Sequence, residues 1–214
     1  MQQVRGRIAT AVATVIVNVT TLACLKTHVV LSLLCLGRDD RRSPLTPIVT
    51  GALLPDAPMV VFFIVERFIL NHSQDYIWGT AYFLPHWQHF IDVFNSIPLI
   101  LLGLGFSFWR GSTFGKLLCL SMLLHVGGDL PLHHDDGHGH FFPFTTWKFV
   151  SPVSYWDVDH HGGIVATLEV LFVIATSYFL TRNYSTLKAR IGVGSIGVLY
   201  FTFLVYAVLA WGLS

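Results

Sequence analysis

Apolar stretches long enough to cross a bilayer recur along this chain and constrain its fold more than any other feature. A helix needs about 20 apolar residues to span the hydrocarbon core. Four stretches meet or approach that length: Ile91–Trp109, Phe114–Leu132, Gly163–Leu180 and Ile191–Leu213. Another, Leu45–Leu70, is interrupted by Pro47, Pro55 and Pro58 and reads as a broken or re-entrant helix. Such a break is tolerated where protein or a polar cavity satisfies the freed backbone groups. The expected fold is an all-α, polytopic transmembrane helical bundle of about five to six spans. Composition agrees, with 53% of the 214 residues hydrophobic and 12% charged, where soluble domains carry about a quarter charged. The net charge of +1 supplies no basic face for nucleic acid. The partner that the composition demands is the lipid bilayer.

The first segment is ambiguous. Ile8–Leu36 is nearly continuous, with Lys26 and His28 inside it. Arg5 and Arg7 ahead of the run, and small residues near Ala23-Cys24, are compatible with a signal peptide. A long tilted helix and a tight hairpin fit equally well. The chain therefore divides into an N-terminal extension or additional hydrophobic segment, 1–26, and one transmembrane domain, 27–214. Cys24, Cys35 and Cys119 sit singly in apolar runs and make neither a disulfide framework nor a CxxC motif. They read as core or lipid-facing thiols.

Charge orients the bundle. Arg38, Arg41 and Arg42 fill one connection, Arg110 and Lys116 flank a second, and Arg182, Lys188 and Arg190 crowd a third. The positive-inside rule assigns all three to the cytoplasm. The stretch Asn71–Phe90 has no Lys or Arg and His133–Gly162 has only Lys148, so both are expected on the opposite face. Trp78, Trp87, Trp147 and Trp156 fall in these two outer loops, as an interfacial belt would place them.

The outer loops also gather histidine. Of eleven in the chain, only His28 and His125 lie elsewhere. The densest run extends from His125 through Asp129, His133, His134, Asp135, Asp136 and His138 to His140. Imidazole with carboxylate suits Zn, Mn, Fe or Ni, and the absence of cysteine argues against a structural zinc finger. His125 and Asp129 are four apart on an expected helix and project from one face. Pro131 then ends that helix, which lets the following run fold back over the same point. Alternatively, His125 only bonds Asp129 to hold two helices together.

Asp56, between Pro55 and Pro58 in an apolar stretch, needs a cation, a metal or a donor network. Otherwise it caps a helix at the break. Asp92 reads as an N-cap for the Ile91–Trp109 helix, and Asn95 as an orienting group. Glu169, well inside a span, calls for a partner and suits an orienting role behind a ligating histidine. Asp157, Asp159, His160 and His161 either reach the His125 site or decorate the loop. His72, His86 and His89 read as interfacial.

With these residues in hand, the chain resembles the membrane-bound metal-dependent hydrolase family, whose best-known type is a LexA-regulated bacterial inner-membrane protein. The pieces that match are Gly51-Ala-Leu-Leu-Pro-Asp56, Phe94-Asn95-Ser96-Ile97-Pro98, His125-xxx-Asp129, and Phe142-Pro-Phe with Ser151-Pro-Val-Ser-Tyr-Trp-Asp157. The resemblance covers roughly Thr27 to Glu169, and it aligns a family histidine with His28. Where Asn95 stands, the family often has a histidine, so this chain departs from the pattern there. A more distant likeness is to zinc-dependent phospholipase C, through His125, Asp129 and His134.

With these residues, the resemblance implies a metal-dependent hydrolase of the bacterial inner membrane, expected to act on phosphoester or lipid substrates near its outer face. His125 and Asp129 are the expected primary ligands, with Asp56, His28 and His134 next. Asp157, Asp135 or Glu169 is the expected general base or orienting group. The expected cofactor is a divalent metal, zinc before manganese or iron. Two rivals remain: a membrane di-iron oxygenase, for which the usual set of histidine boxes is missing, and a non-enzymatic metal-binding or transport protein. A transporter should line several spans with ligands, whereas these gather at one end.

Overall fold

A computed structural model describes residues 26–155 and 157–211. Most of the first hydrophobic segment, with Cys24, and Trp156 of the expected aromatic belt lie outside the described residues. All regular structure among the described residues is helical. The helices are α1 (Lys26–Leu36), α2 (Leu45–Leu53), α3 (Ala57–Ile64), α4 (Gln74–Gly79), α5 (Pro85–Asn95), α6 (Ile97–Trp109), α7 (Thr113–Asp129), α8 (Gly162–Asn183) and α9 (Leu187–Trp211).

Small residues bring the site helices together. A Cβ on Gly51 would lie 2.3 Å from the Leu118 carbonyl oxygen, so α2 lies directly on the backbone of α7. The Ser121 hydroxyl donates to the Ile48 carbonyl at 2.6 Å, and the His125 ring meets the Ala52 carbonyl four residues further along both helices. The two helices therefore run parallel and finish at the same end. Close backbone approach through small residues, with hydroxyl bonds across, is the usual means of joining helices in lipid. The hairpin α8–α9 uses the same device, for a Cβ on Gly197 would meet Ser177 at 2.9 Å.

The expected broken segment is a bent pair. α2 and the helix Ala57–Ile69 meet at 52° across Leu54–Asp56. The second limb ends in a π-helical turn, Val65–Ile69. A shorter break separates α5 from α6 at Ser96, whose hydroxyl accepts from the Leu99 N–H at 3.2 Å. Ser96 is thus the N-cap of α6. The N-cap role expected for Asp92 is not observed, because the helix starts earlier, at Pro85, and leaves Asp92 buried inside α5.

Among the described residues, three helices are long and apolar enough to cross a membrane: Pro85–Trp109, taken across the Ser96 break, Gly162–Asn183 and Leu187–Val205. The bent pair makes a fourth if counted as one span. This is fewer than the five to six expected, for two reasons. The segment expected to run to Leu132 stops at Asp129 as a 17-residue helix, with Pro131 just beyond. The first segment is described only as the short helix Lys26–Leu36.

The basic connections meet at one end of the bundle. Asp40, in the α1–α2 turn, accepts from the backbone N–H groups of Ser185 and Thr186 at 2.9 and 2.8 Å, and from the Thr186 hydroxyl at 2.6 Å. The hydrogen bonds from Thr186 and Ser185 hold this carboxyl down at about 2. The start of α1, the ends of α2 and α7 and the start of α8 lie at the other end, where the histidines are.

Candidate metal centre

Each site residue is placed by a feature of its own element. His125 and Asp129 stand one turn apart near the end of α7. His28 enters in the first turn of α1 beside Gly128, where a Cβ would come within 3.3 Å of the imidazole. Asp56 occupies the break after α2 and makes no side-chain cap bond to α3. It has instead turned toward His125.

These groups converge on the Asp129 carboxylate, which is 3% exposed. His28 Nε2 lies 2.8 Å from Oδ1 and His125 Nε2 lies 2.9 Å from Oδ2. Asp56 Oδ1 is 3.6 Å from His125 Nε2. The rings of His28 and His125 are stacked at 3.8 Å. His125 Nδ1 is 2.7 Å from the Ala52 carbonyl oxygen; a carbonyl only accepts, so Nδ1 carries the hydrogen and Nε2 is the nitrogen turned to the cluster.

The loop after α7 completes a second group on the same carboxylate. His133 Nε2 is 3.7 Å from Asp129 Oδ1, and its Nδ1 is 3.0 Å from Asp136. Candidate ligand atoms of His28, His125 and Asp129 lie within 4.8 Å of one another, as do those of Asp129, His133 and His138. Asp129 is common to both groups. Burial disfavours the charged form of His133, but the neighbouring Asp129 and Asp136 carboxylates outweigh it and raise the ring to about 10, so a metal bound there would have to displace its proton. Burial and the neighbouring His133 push His138 down to about 3, so it is a neutral donor.

Three contacts hold that loop. Asp92 Oδ1 accepts the Gly139 N–H at 2.7 Å, the Ile97 N–H donates to the His140 carbonyl at 2.9 Å, and the Ser96 hydroxyl donates to the Phe142 carbonyl. Asn95 donates to the Pro55 and Ile91 carbonyls at 3.1 Å, joining α5 to the break that carries Asp56.

The donor set fits a divalent metal. Ligands of one zinc ion, each at 2.0–2.2 Å, stand roughly 3 to 3.5 Å apart, close to the separations around Asp129. Asp56 Oδ2, His125 Nε2 and His138 Nδ1 are buried without a hydrogen-bond partner, and native structures rarely leave such atoms unsatisfied. Although His125 Nε2 sits near Asp129 Oδ2, it lacks hydrogen-bond alignment. That is how two ligands of a shared ion face each other.

Four of the five expected ligands, His28, Asp56, His125 and Asp129, thus lie together. The fifth, His134, points its Nδ1 to the Ser151 carbonyl at 2.6 Å and stacks on His160; it joins neither group around Asp129. His133 and His138 stand where His134 was expected, and the sequence did carry a signal for the first, because 125, 129 and 133 continue one spacing of four. Asp157 bonds His160 at 2.7 Å and Asp135 is exposed, so neither joins those groups. Glu169 accepts from the Thr27 hydroxyl at 2.5 Å, which places it behind His28 through the adjacent residue. His72 pairs with the buried Glu66 at 2.6 Å, while His86 and His89 are exposed. No family model matches the sequence, and neither a curated protein nor a solved structure shows significant similarity to it.

Proposed function

We propose that this protein is a membrane-embedded, metal-dependent hydrolase whose centre, built around Asp129, faces the non-cytoplasmic side and acts on a phosphoester or lipid substrate. The observation that carries this reading is the sharing of one buried carboxylate by two groups of histidines, at the end of the bundle away from the basic turns. His28, His125, Asp129, His133 and His138 would hold the metal, with Asp56 beside them. When bound, a divalent ion in such a set supplies Lewis acidity and activates water for attack. The chain's own groups do the rest. The Ala52 carbonyl orients the ring of His125, and the Asp136 carboxylate lies beside His133. Asp56, with a side chain 22% accessible, lies at the edge of the cluster and is placed to act as proton acceptor. This role replaces the ones expected for Asp135 and Asp157.

Motif order and the mixed imidazole–carboxylate set support a hydrolase over an oxygenase. A bacterial inner membrane follows from the family resemblance alone. The test is hydrolysis of phosphoester lipids by zinc-loaded protein in detergent, beside Asp56→Asn. Turnover that falls at least tenfold in the variant at unchanged metal content supports the reading. Metal-loaded wild type inactive on phosphoester and carboxylic-ester lipids would leave a non-enzymatic metal protein.

A further inference from the structure

Outside the buried centre, the outer loop holds a second pair of histidines, adjacent and each back-bonded through Nδ1. His134 Nδ1 lies 2.6 Å from the Ser151 carbonyl oxygen, and His160 Nδ1 lies 2.7 Å from the Asp157 carboxylate. Both partners are acceptors, so each Nδ1 carries the hydrogen and each Nε2 keeps its lone pair. Metal-binding histidines have this same back-bonding, which fixes the tautomer and the ring. The other oxygen of Asp157 accepts the Asp159 N–H at 2.9 Å, so the carboxylate is itself fixed.

The two rings lie face to face, with centroids 3.5 Å apart and planes 21° from parallel. Imidazoles this close keep their Nε2 atoms within the reach of two metal–nitrogen bonds of about 2.1 Å each. Imidazole lone pairs lie in the ring plane, so the stack must open for both to meet one ion. The framework is tied down on both sides: the Ser151 N–H donates to the His133 carbonyl, the Tyr155 N–H to the Leu132 carbonyl and the Ser154 N–H to the His160 carbonyl, at 2.8–3.0 Å. The His160 side chain is 32% exposed, so ions in solution reach the pair directly.

We propose that His134 and His160 form a second metal site, at the loop surface and separate from the Asp129 centre, which takes a borderline divalent transition ion such as Cu(II), Ni(II) or Zn(II). Two protein nitrogens with water completing the shell make a labile site, suited to capture and exchange. Imidazole donors suit these ions and disfavour magnesium and calcium.

The test uses tag-free, full-length protein in detergent, first loaded with zinc and desalted, then titrated with Cu(II) and followed by electron paramagnetic resonance. The expected result is one copper per chain with two equatorial nitrogens. His134→Gln and His160→Gln should each weaken copper binding at least tenfold and remove one nitrogen. Retained zinc should stay unchanged in both, which also reports that they fold. Asp157→Asn, which leaves both ligands in place, should weaken copper about tenfold by loosening the His160 ring. His28→Gln/His125→Gln should leave the two-nitrogen copper signal intact, whether or not the buried centre proves to hold zinc. A two-nitrogen signal that survives loss of His134 and His160, or that disappears with His28 and His125, would overturn the proposal. So would its absence from the wild type.

Discussion

At the scale of single residues, the candidate centre depends on groups that never face it. Asp92 is 2% exposed and spends its carboxylate on the Gly139 N–H. A Cβ on Gly139 would lie 2.6 Å from the other carboxylate oxygen. Gly139→Ala should therefore push the loop off α5 and weaken metal binding, seen as faster loss of metal to a chelator. Asp92→Ala should cost about 1–3 kcal/mol, the usual penalty for a buried N–H left unpaired, read from thermal unfolding in detergent. Asp92→Asn should cost less, because its amide oxygen still accepts. These supports were hidden in the sequence: Asp92 sits at a plausible helix start, and a bond to a residue 47 positions away leaves no local pattern. Asp129 and His125 were legible because the spacing of four is local. Pro131 marks a helix end after which the run folds back, but a run with adjacent histidines does not show which of them, His133 or His134, meets Asp129.

At the scale of elements, the α2–α7 contact and the Asp40 staple place the site helices. Gly51→Ala should be destabilising, by about 1–3 kcal/mol as overpacking against a backbone atom. Gly105→Ala, where an added Cβ meets nothing within 4 Å, should be close to neutral in the same melt. Asp40 has a pKa lowered from 3.8 to about 2 by its bonds to Thr186 and Ser185. A depressed carboxyl stabilises the fold above its ordinary pKa and loses that contribution as the pH falls through the folded value. The deficit of Asp40→Ala in melting temperature should therefore be full at neutral pH and shrink between 3.8 and 2. A deficit independent of pH would show that the charge of Asp40 plays no part. Helix identity was legible from apolar run length, and the broken span from Pro47, Pro55 and Pro58. Helix ends were less so: the break at Ser96 is held by the 140–142 loop as well as by its own cap bond to Leu99, and Pro131 marks the end of α7 without fixing it at Asp129.

At the scale of the whole molecule, the bundle keeps its basic turns and its histidines at opposite ends. That separation carries the reading of sidedness. Ser43→Cys in the basic turn and Asp159→Cys in the histidine loop should react with a membrane-impermeant thiol reagent from opposite sides of sealed vesicles. Labelling of both from one side would contradict a bundle that crosses the membrane between them. The central claim is that Asp129 organises a metal centre, and metal content measured by mass spectrometry tests it most directly. Protein purified in detergent should carry stoichiometric zinc or manganese, and His125→Ala/Asp129→Ala should lose it while remaining folded. Wild type that binds no metal even after reloading, or a double variant that keeps the full complement, would contradict the claim and reduce the cluster to a polar network holding α1, α2 and α7 together.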